Sequence, residues 1–193
     1  MTQHEVEKFA ATSGRILGVI ALVGVLTIVV IGIVDRDHGF PAAVVTGALV
    51  FGVLVWAAML RPRVWATPEA LVLRNMLDTV SIPLAAIDTV VVRQVLAVGV
   101  GDSRYVSSAI GHSWRQTIKS NRSSERPSAT ESYPVFVEDR ITRLVEDARA
   151  RHGIQRFTPE QAALADDVHR TLAWPEIGVL VGSLVAFVAT LVA

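Results

Sequence analysis

Two uncharged apolar runs, residues 16–34 and 42–60, flank a single short polar stretch. A helix needs about 20 consecutive apolar residues to cross the hydrocarbon core of a bilayer, and each run has that length. The stretch between them, Asp35-Arg36-Asp37-His38-Gly39-Phe40-Pro41, has room only for a tight return, so the runs predict an antiparallel transmembrane hairpin. The first run does not read as a cleaved leader. Glu5 and Glu7 precede it where a signal peptide is basic, and no small-residue cleavage site follows it. A third apolar run, 176–193, carries Gly178, Gly182 and Ala186 at every fourth position, a spacing that lets helix backbones approach closely. Hydrophobic residues make up 51% of the 193, which fits a small membrane protein with one modest soluble part.

The positive-inside rule orients the hairpin. Lys8 and Arg15 precede the first run, and Arg61, Arg63 and Arg74 follow the second; the return offers only Arg36 between two aspartates. The N-terminal segment 1–15 and the part after residue 60 are therefore expected on the cytoplasmic side. Three spans then place the C-terminus outside. Net charge is zero, so nucleic acid is not an expected partner. The absence of cysteine excludes disulfides, thiolate catalysis and cysteine-ligated metal.

Residues 61–119 read as β structure. Val64-Trp65-Ala66 suits a strand, ended by Thr67-Pro68-Glu69 because proline fixes φ and lacks a donor. Leu71 and Leu73 alternate toward one face, as do Val80 and Ile82. Residues 87–95, rich in β-branched side chains, predict a buried strand. Residues 96–100 continue it or pair with it, and 103–110 form a further strand. Close turns imply an antiparallel sheet, curled or packed. The serine-rich segment 120–132 predicts a mobile loop. Val137, Ile141, Leu144, Val145 and Ala148 then form one stripe of a helix over 137–152, with Asp139–Arg143 and Asp147–Arg151 as i, i+4 pairs. Thr158-Pro159-Glu160-Gln161 is a capping-box start, predicting a second helix over 158–172.

RPRVWATPEALVLRN, a turn, and TVSIPLAAIDTVVV together resemble the bacterial pleckstrin-homology-like (PH-like) domain of small actinobacterial membrane proteins. Arg104-Tyr105-Val106-Ser107-Ser108-Ala109-Ile110-Gly111 is similar to a later segment of that family, whereas Leu84 stands where its tryptophan is usual. The match covers about residues 61–115. It implies an α+β membrane protein whose module, 61–172, is a strongly bent antiparallel sheet capped by a helix, for which 137–152 is the candidate. It implies no catalytic activity and no established ligand. In size and layout the chain is also similar to accessory subunits of actinobacterial respiratory supercomplexes of the cytochrome bc–cytochrome oxidase type.

Site chemistry is sparse in this sequence. His4, His38, His112, His152 and His169 show no metal-ligand spacing, and Asp166 near His169 reads as a solvated helix face. Gly99-Val100-Gly101 is a turn rather than a phosphate loop, and Ser107 and Ser108 have no base at readable spacing. Within the runs the polar residues Thr27, Thr46, Ser183 and Thr190 are not ionisable, so no ion path is expected. Membrane lipids are the expected partner, with other membrane-complex subunits as the alternative; no small-molecule substrate and no cofactor are implied. Arg61 and Arg63 at the interface, and Arg115 and Lys119 beside Trp114, are the candidates for anionic-lipid contact, continued by Arg122 and Arg126. Gly18, Gly24, Gly32, Gly47 and Gly52 suggest close helix packing, within the chain or onto another protein.

Overall fold

A computed structural model describes residues 6–11, 14–35, 37, 39–111 and 129–192. The chain divides into two units. One is built from Met1–Ser13 and Pro62–Thr171, the other from Gly14–Arg61 and Leu172–Ala193.

The first unit is α+β. Its larger sheet holds β1 (Glu7–Phe9), β2 (Arg63–Ala66), β3 (Ala70–Arg74), β4 (Asp78–Pro83) and β8 (His169–Leu172), in that spatial order. A second antiparallel sheet holds β5 (Thr89–Val92), β6 (Leu96–Val100) and β7 (Ser103–Ser107). Alternation decides what each face does. Phe9, Val64, Leu73 and Val80 form one cross-strand row, and Glu7, Ala66, Leu71 and Ile82 the next. Every one of these but Glu7 is buried. The second sheet contributes Leu96, Val98 and Val100 to the same core. Helix α3 (Ala129–His152) closes it with Val137, Ile141, Val145 and Ala148, all 2% exposed or less. Glu138 Oε2 accepts the Val92 amide at 2.8 Å, so the helix also occupies the free edge of β5.

Several expectations are corrected here. The module is not confined to 61–172: Glu7–Phe9, in the segment 1–15 expected to stand apart as an N-terminal segment, is an edge strand, so the module is discontinuous and the helical hairpin is inserted between β1 and β2. The buried strand over 87–95 shrinks to Thr89–Val92, because Ile87 leaves a 3-10 turn (Leu84–Ala86) and the chain bends again at 93–95. The strand over 103–110 ends at Ser107. The mobile loop expected at 120–132 falls largely outside the described residues, and from Ala129 the chain is already helical. The helix over 158–172 becomes α4 (Pro159–Ala163), a 3-10 turn (Leu164–Asp167) and β8. The cap itself is as expected, with Thr158 Oγ1 accepting the Gln161 amide at 3.3 Å. The helix stops early because the free edge of β4 takes His169–Leu172 as its partner strand.

The second unit is helical: α1 (Arg15–Val34), α2 (Ala42–Val55) continued by a π-helical turn (Trp56–Leu60), and α5 (Trp174–Val192). All three stretches are long and apolar enough to cross a membrane. Helix α5 starts earlier than expected because Pro175 sits in its first turn, where a missing amide costs nothing. Helix α2 is the middle member, packed on α1 and on α5. Against α1 the contact is tight at Gly52, where an added methyl would stand 3.0 Å from Val25. Against α5, Thr46 and Thr190 share a hydrogen bond at 2.8 Å, and Gly47 faces the ring of Phe187. These glycines do serve packing within the chain.

Candidate functional site

An open groove of about 850 Å³ lies in the β unit between α3 and the β2–β3 turn. One wall is a helical stripe, Arg140, Leu144, Asp147 and Arg151, at i, i+4, i+7 and i+11. The other is Glu7 with Ala66, Thr67 and Pro68. Glu7 belongs to the inward row of the sheet but sits at its edge, so its carboxylate turns to the helix instead of the core. There it accepts from Arg140 Nε at 2.9 and 3.0 Å. This bond raises the Arg140 pKa above its ordinary value. Both groups are substantially solvated, so the pair contributes about 0.2–1 kcal/mol and serves mainly to fix the groove wall. At the other end Arg151 donates to the Pro68 carbonyl at 2.6 Å and to the Asp147 carbonyl at 3.3 Å. The expected Asp147–Arg151 side-chain pair therefore gives way to two backbone carbonyls. The groove offers both charges over an apolar floor.

A buried polar cluster holds the far side of α3. Arg149 is 5% exposed and donates through Nε to the Ala85 carbonyl at 3.4 Å and through Nη2 to that of Ile87. Burial lowers its pKa, as does the charge of Arg156, while Asp88 and Glu146 pull the other way. Gln161, also buried, donates to Asp88 Oδ1 at 2.7 Å and accepts the Phe157 amide at 2.7 Å. Phe157 is thereby held at φ 60, a left-handed conformation that costs a bulky residue about 1–2 kcal/mol. Neither Arg149 nor the second role of Gln161 was signalled by the sequence, since both depend on carbonyls and carboxylates of a turn some sixty to seventy positions earlier.

Tyr133 links α3 to β1: its hydroxyl accepts the Ala10 amide at 2.7 Å. Burial raises the Tyr133 pKa above 10.0 and the amide bond lowers it, with burial the larger effect. A raised pKa means the folded chain holds this proton more tightly, so the associated stability is full below pH 10.0 and falls as pH rises through the folded value. Alkaline denaturation is expected to show this loss in the wild type and to lack it in Tyr133→Phe, whose stability at neutral pH falls by about 0.5–1.5 kcal/mol.

The lipid candidates separate. Arg61 is corrected: its side chain is 4% exposed and pairs with Glu176 on α5 at 3.0 Å, because a guanidinium removed from water must find a carboxylate. Arg63 is exposed on the outward face of β2. Arg115 and Lys119 lie outside the described residues, as do Trp114, Arg122 and Arg126. His4, Arg36, His38 and His112 do as well; His169 is exposed on β8, not on a helix with Asp166. Among the described residues no three histidine, aspartate or glutamate side chains gather as a metal site requires. Gly178 and Gly182 have open space where a side chain would stand, and Ala186 is exposed, so α5 does not use this face against α2. Gly24 also faces open space. Neither family models, nor curated proteins, nor solved structures give a match to the chain.

Proposed function

We propose that this chain is a non-enzymatic, membrane-anchored interaction or scaffold protein, its PH-like β module at the cytoplasmic face and its groove the docking surface for a partner segment. The observation that carries this reading is the shared sheet. The strand before the hairpin and the strands after it pair directly, Glu7 with Ala66 and Phe9 with Val64, which ties the module to the helices on both sides of the insertion. The PH-like resemblance implies a strongly bent antiparallel sheet capped by a helix; the module has two antiparallel sheets with one helix packed on their shared core. The cytoplasmic assignment rests on the basic residues around the hairpin ends.

A second reading, an accessory subunit of a larger membrane complex, is favoured by the unpacked face of Gly178, Gly182 and Ala186. Purification of the full-length chain from its native membranes in mild detergent separates the two. The scaffold reading expects a stoichiometric partner that is kept by the wild type and Gly182→Leu but lost on Asp147→Arg. The subunit reading expects the reverse, with a cytochrome absorbance spectrum if the complex is respiratory. A chain that runs alone in every case defeats both. Orientation is checked in the cysteine-free background: a thiol at Asp102→Cys should react only after permeabilisation, one at Asp37→Cys in intact cells.

A further inference from the structure

The α3 wall of the groove is complementary to itself. Arg140 and Asp147 carry opposite charges on one helical stripe, two turns or about 10 Å apart, with Leu144 between them. A second α3 laid antiparallel on the first, centred between Arg143 and Leu144, brings each Arg140 to the Asp147 of the other copy. Phe136, 56% exposed, then stands opposite Arg151, and Leu144 lies beside the two-fold axis. An isologous contact needs such a patch, one that fits its own image. The charged groups it uses are available. The Asp147 carboxylate is exposed and has no ion pair among the described residues, because Arg151 donates to the carbonyls of Pro68 and Asp147 instead. Glu7 is bonded to Arg140 through Nε, which leaves the terminal nitrogens of the guanidinium for a second carboxylate. Arg143, the other charge near the midpoint, is exposed and outside the groove lining, so its long stem carries its charge to water.

We propose that the partner at this groove is a second copy of the chain, docked α3 on α3 and antiparallel, with two Arg140–Asp147 ion pairs related by a two-fold axis. This rests on the reading of the groove as a docking surface and deepens it by naming the occupant and its register. The charges select the direction: in a parallel pair Arg140 would meet Arg140 and Asp147 would meet Asp147, a juxtaposition that suppresses the wrong arrangement. Leu144 supplies the apolar centre, and each Phe136 ring receives the Arg151 guanidinium of the other copy as a cation–π contact. Every residue involved belongs to the β unit.

The test co-expresses the full chain with two different tags, extracts it in mild detergent and captures it on one tag. The other tag is expected to follow. Asp147→Arg alone sets an arginine against Arg140 at both ends of the pair, and Arg140→Asp alone sets carboxylate against carboxylate; each should lower co-capture on the order of tenfold. Co-expressing one variant with the other restores both ion pairs and should restore co-capture, a recovery that no structural role of either residue would give. Thiols in the cysteine-free chain report the register without a change of charge. Leu144→Cys, beside the axis, should form a disulfide-linked dimer on oxidation, whereas Val135→Cys, whose two copies stand about 25 Å apart, should not. The thiols decide even where Arg140→Asp, which places a second carboxylate beside Glu7, does not fold. Co-capture that survives both reversals, folded variants that fail to rescue each other, or equal cross-linking at the two positions overturns the proposal. A wild type that captures no second copy but holds a different protein, released by Asp147→Arg, overturns the occupant and leaves the docking reading. One that holds nothing overturns the docking reading as well.

Discussion

Arg61→Ala is expected to destabilise the helical unit by about 3–5 kcal/mol, the usual cost of breaking a buried ion pair by removing one partner. Arg61 ends the π-helical turn after α2, and its Nε meets Glu176 at 3.0 Å with the two side chains 4% and 14% exposed. The carboxylate lies in the first turn of α5, where the helix dipole favours it. Removing the guanidinium leaves that carboxylate without its arginine in a place water barely reaches. Replacing both residues by methionine should recover most of the loss, because a packed apolar pair of similar volume avoids the desolvation of two ions. Titration of the full-length chain with a denaturing detergent, followed by helix content, measures both. A single variant as stable as the wild type would mean the pair contributes nothing net, and a double variant no better than the single would mean shape rather than charge holds the site.

Ile141→Ala should have the next largest effect, about 2–5 kcal/mol on the β unit. Ile141 is completely buried and lies mid-stripe on α3, among residues of both sheets. Its truncation removes apolar area and leaves a void that two sheets and a helix cannot close together, since each is pinned by its own hydrogen bonds. Val135→Ala, on the same helix but 56% exposed, is the control and should stay within about 0.5 kcal/mol. Loss of the strand signal on heating is the measure. Equal shifts for the two variants would show that α3 does not close the core in solution.

The parts of this fold that were legible in the sequence are those whose information is local. Leu71 and Leu73, Val80 and Ile82 alternate because each strand has one buried face, and they are buried. The 3.6-residue stripe of α3 lies against the core for the same reason. What was not legible depends on a partner far along the chain. Glu7-Lys8-Phe9 is too short to show a period; it is a strand because β2 lies beside it and Phe9 completes a buried row. His169–Leu172 is exposed along its length and so had no alternation to read. Arg61 looked like a lipid anchor because its carboxylate is 115 positions away. For Gly178 and Gly182 the spacing was visible, but which face of α5 meets α2 was settled by Phe187 and Thr190 instead. The groove was half visible: its helical stripe contains the Asp147 and Arg151 read as a surface pair, while Glu7 opposite depended on the unseen strand.

The position of the hairpin inside the sheet has a consequence for how such a chain is made. β1 leaves the ribosome first, yet β2 appears only after α1 and α2, and synthesis of the intervening fifty or so residues takes about 3–10 s. With the hairpin in the bilayer as proposed, the two strands meet only when both helices have inserted, since a single crossing would strand them on opposite sides. A wrongly threaded chain is then left with β2 carrying an unpaired edge, the kind of surface that chaperones and proteases act on. On that proposed topology the sheet gains its β1–β2 pairing only in chains whose two helices have both inserted.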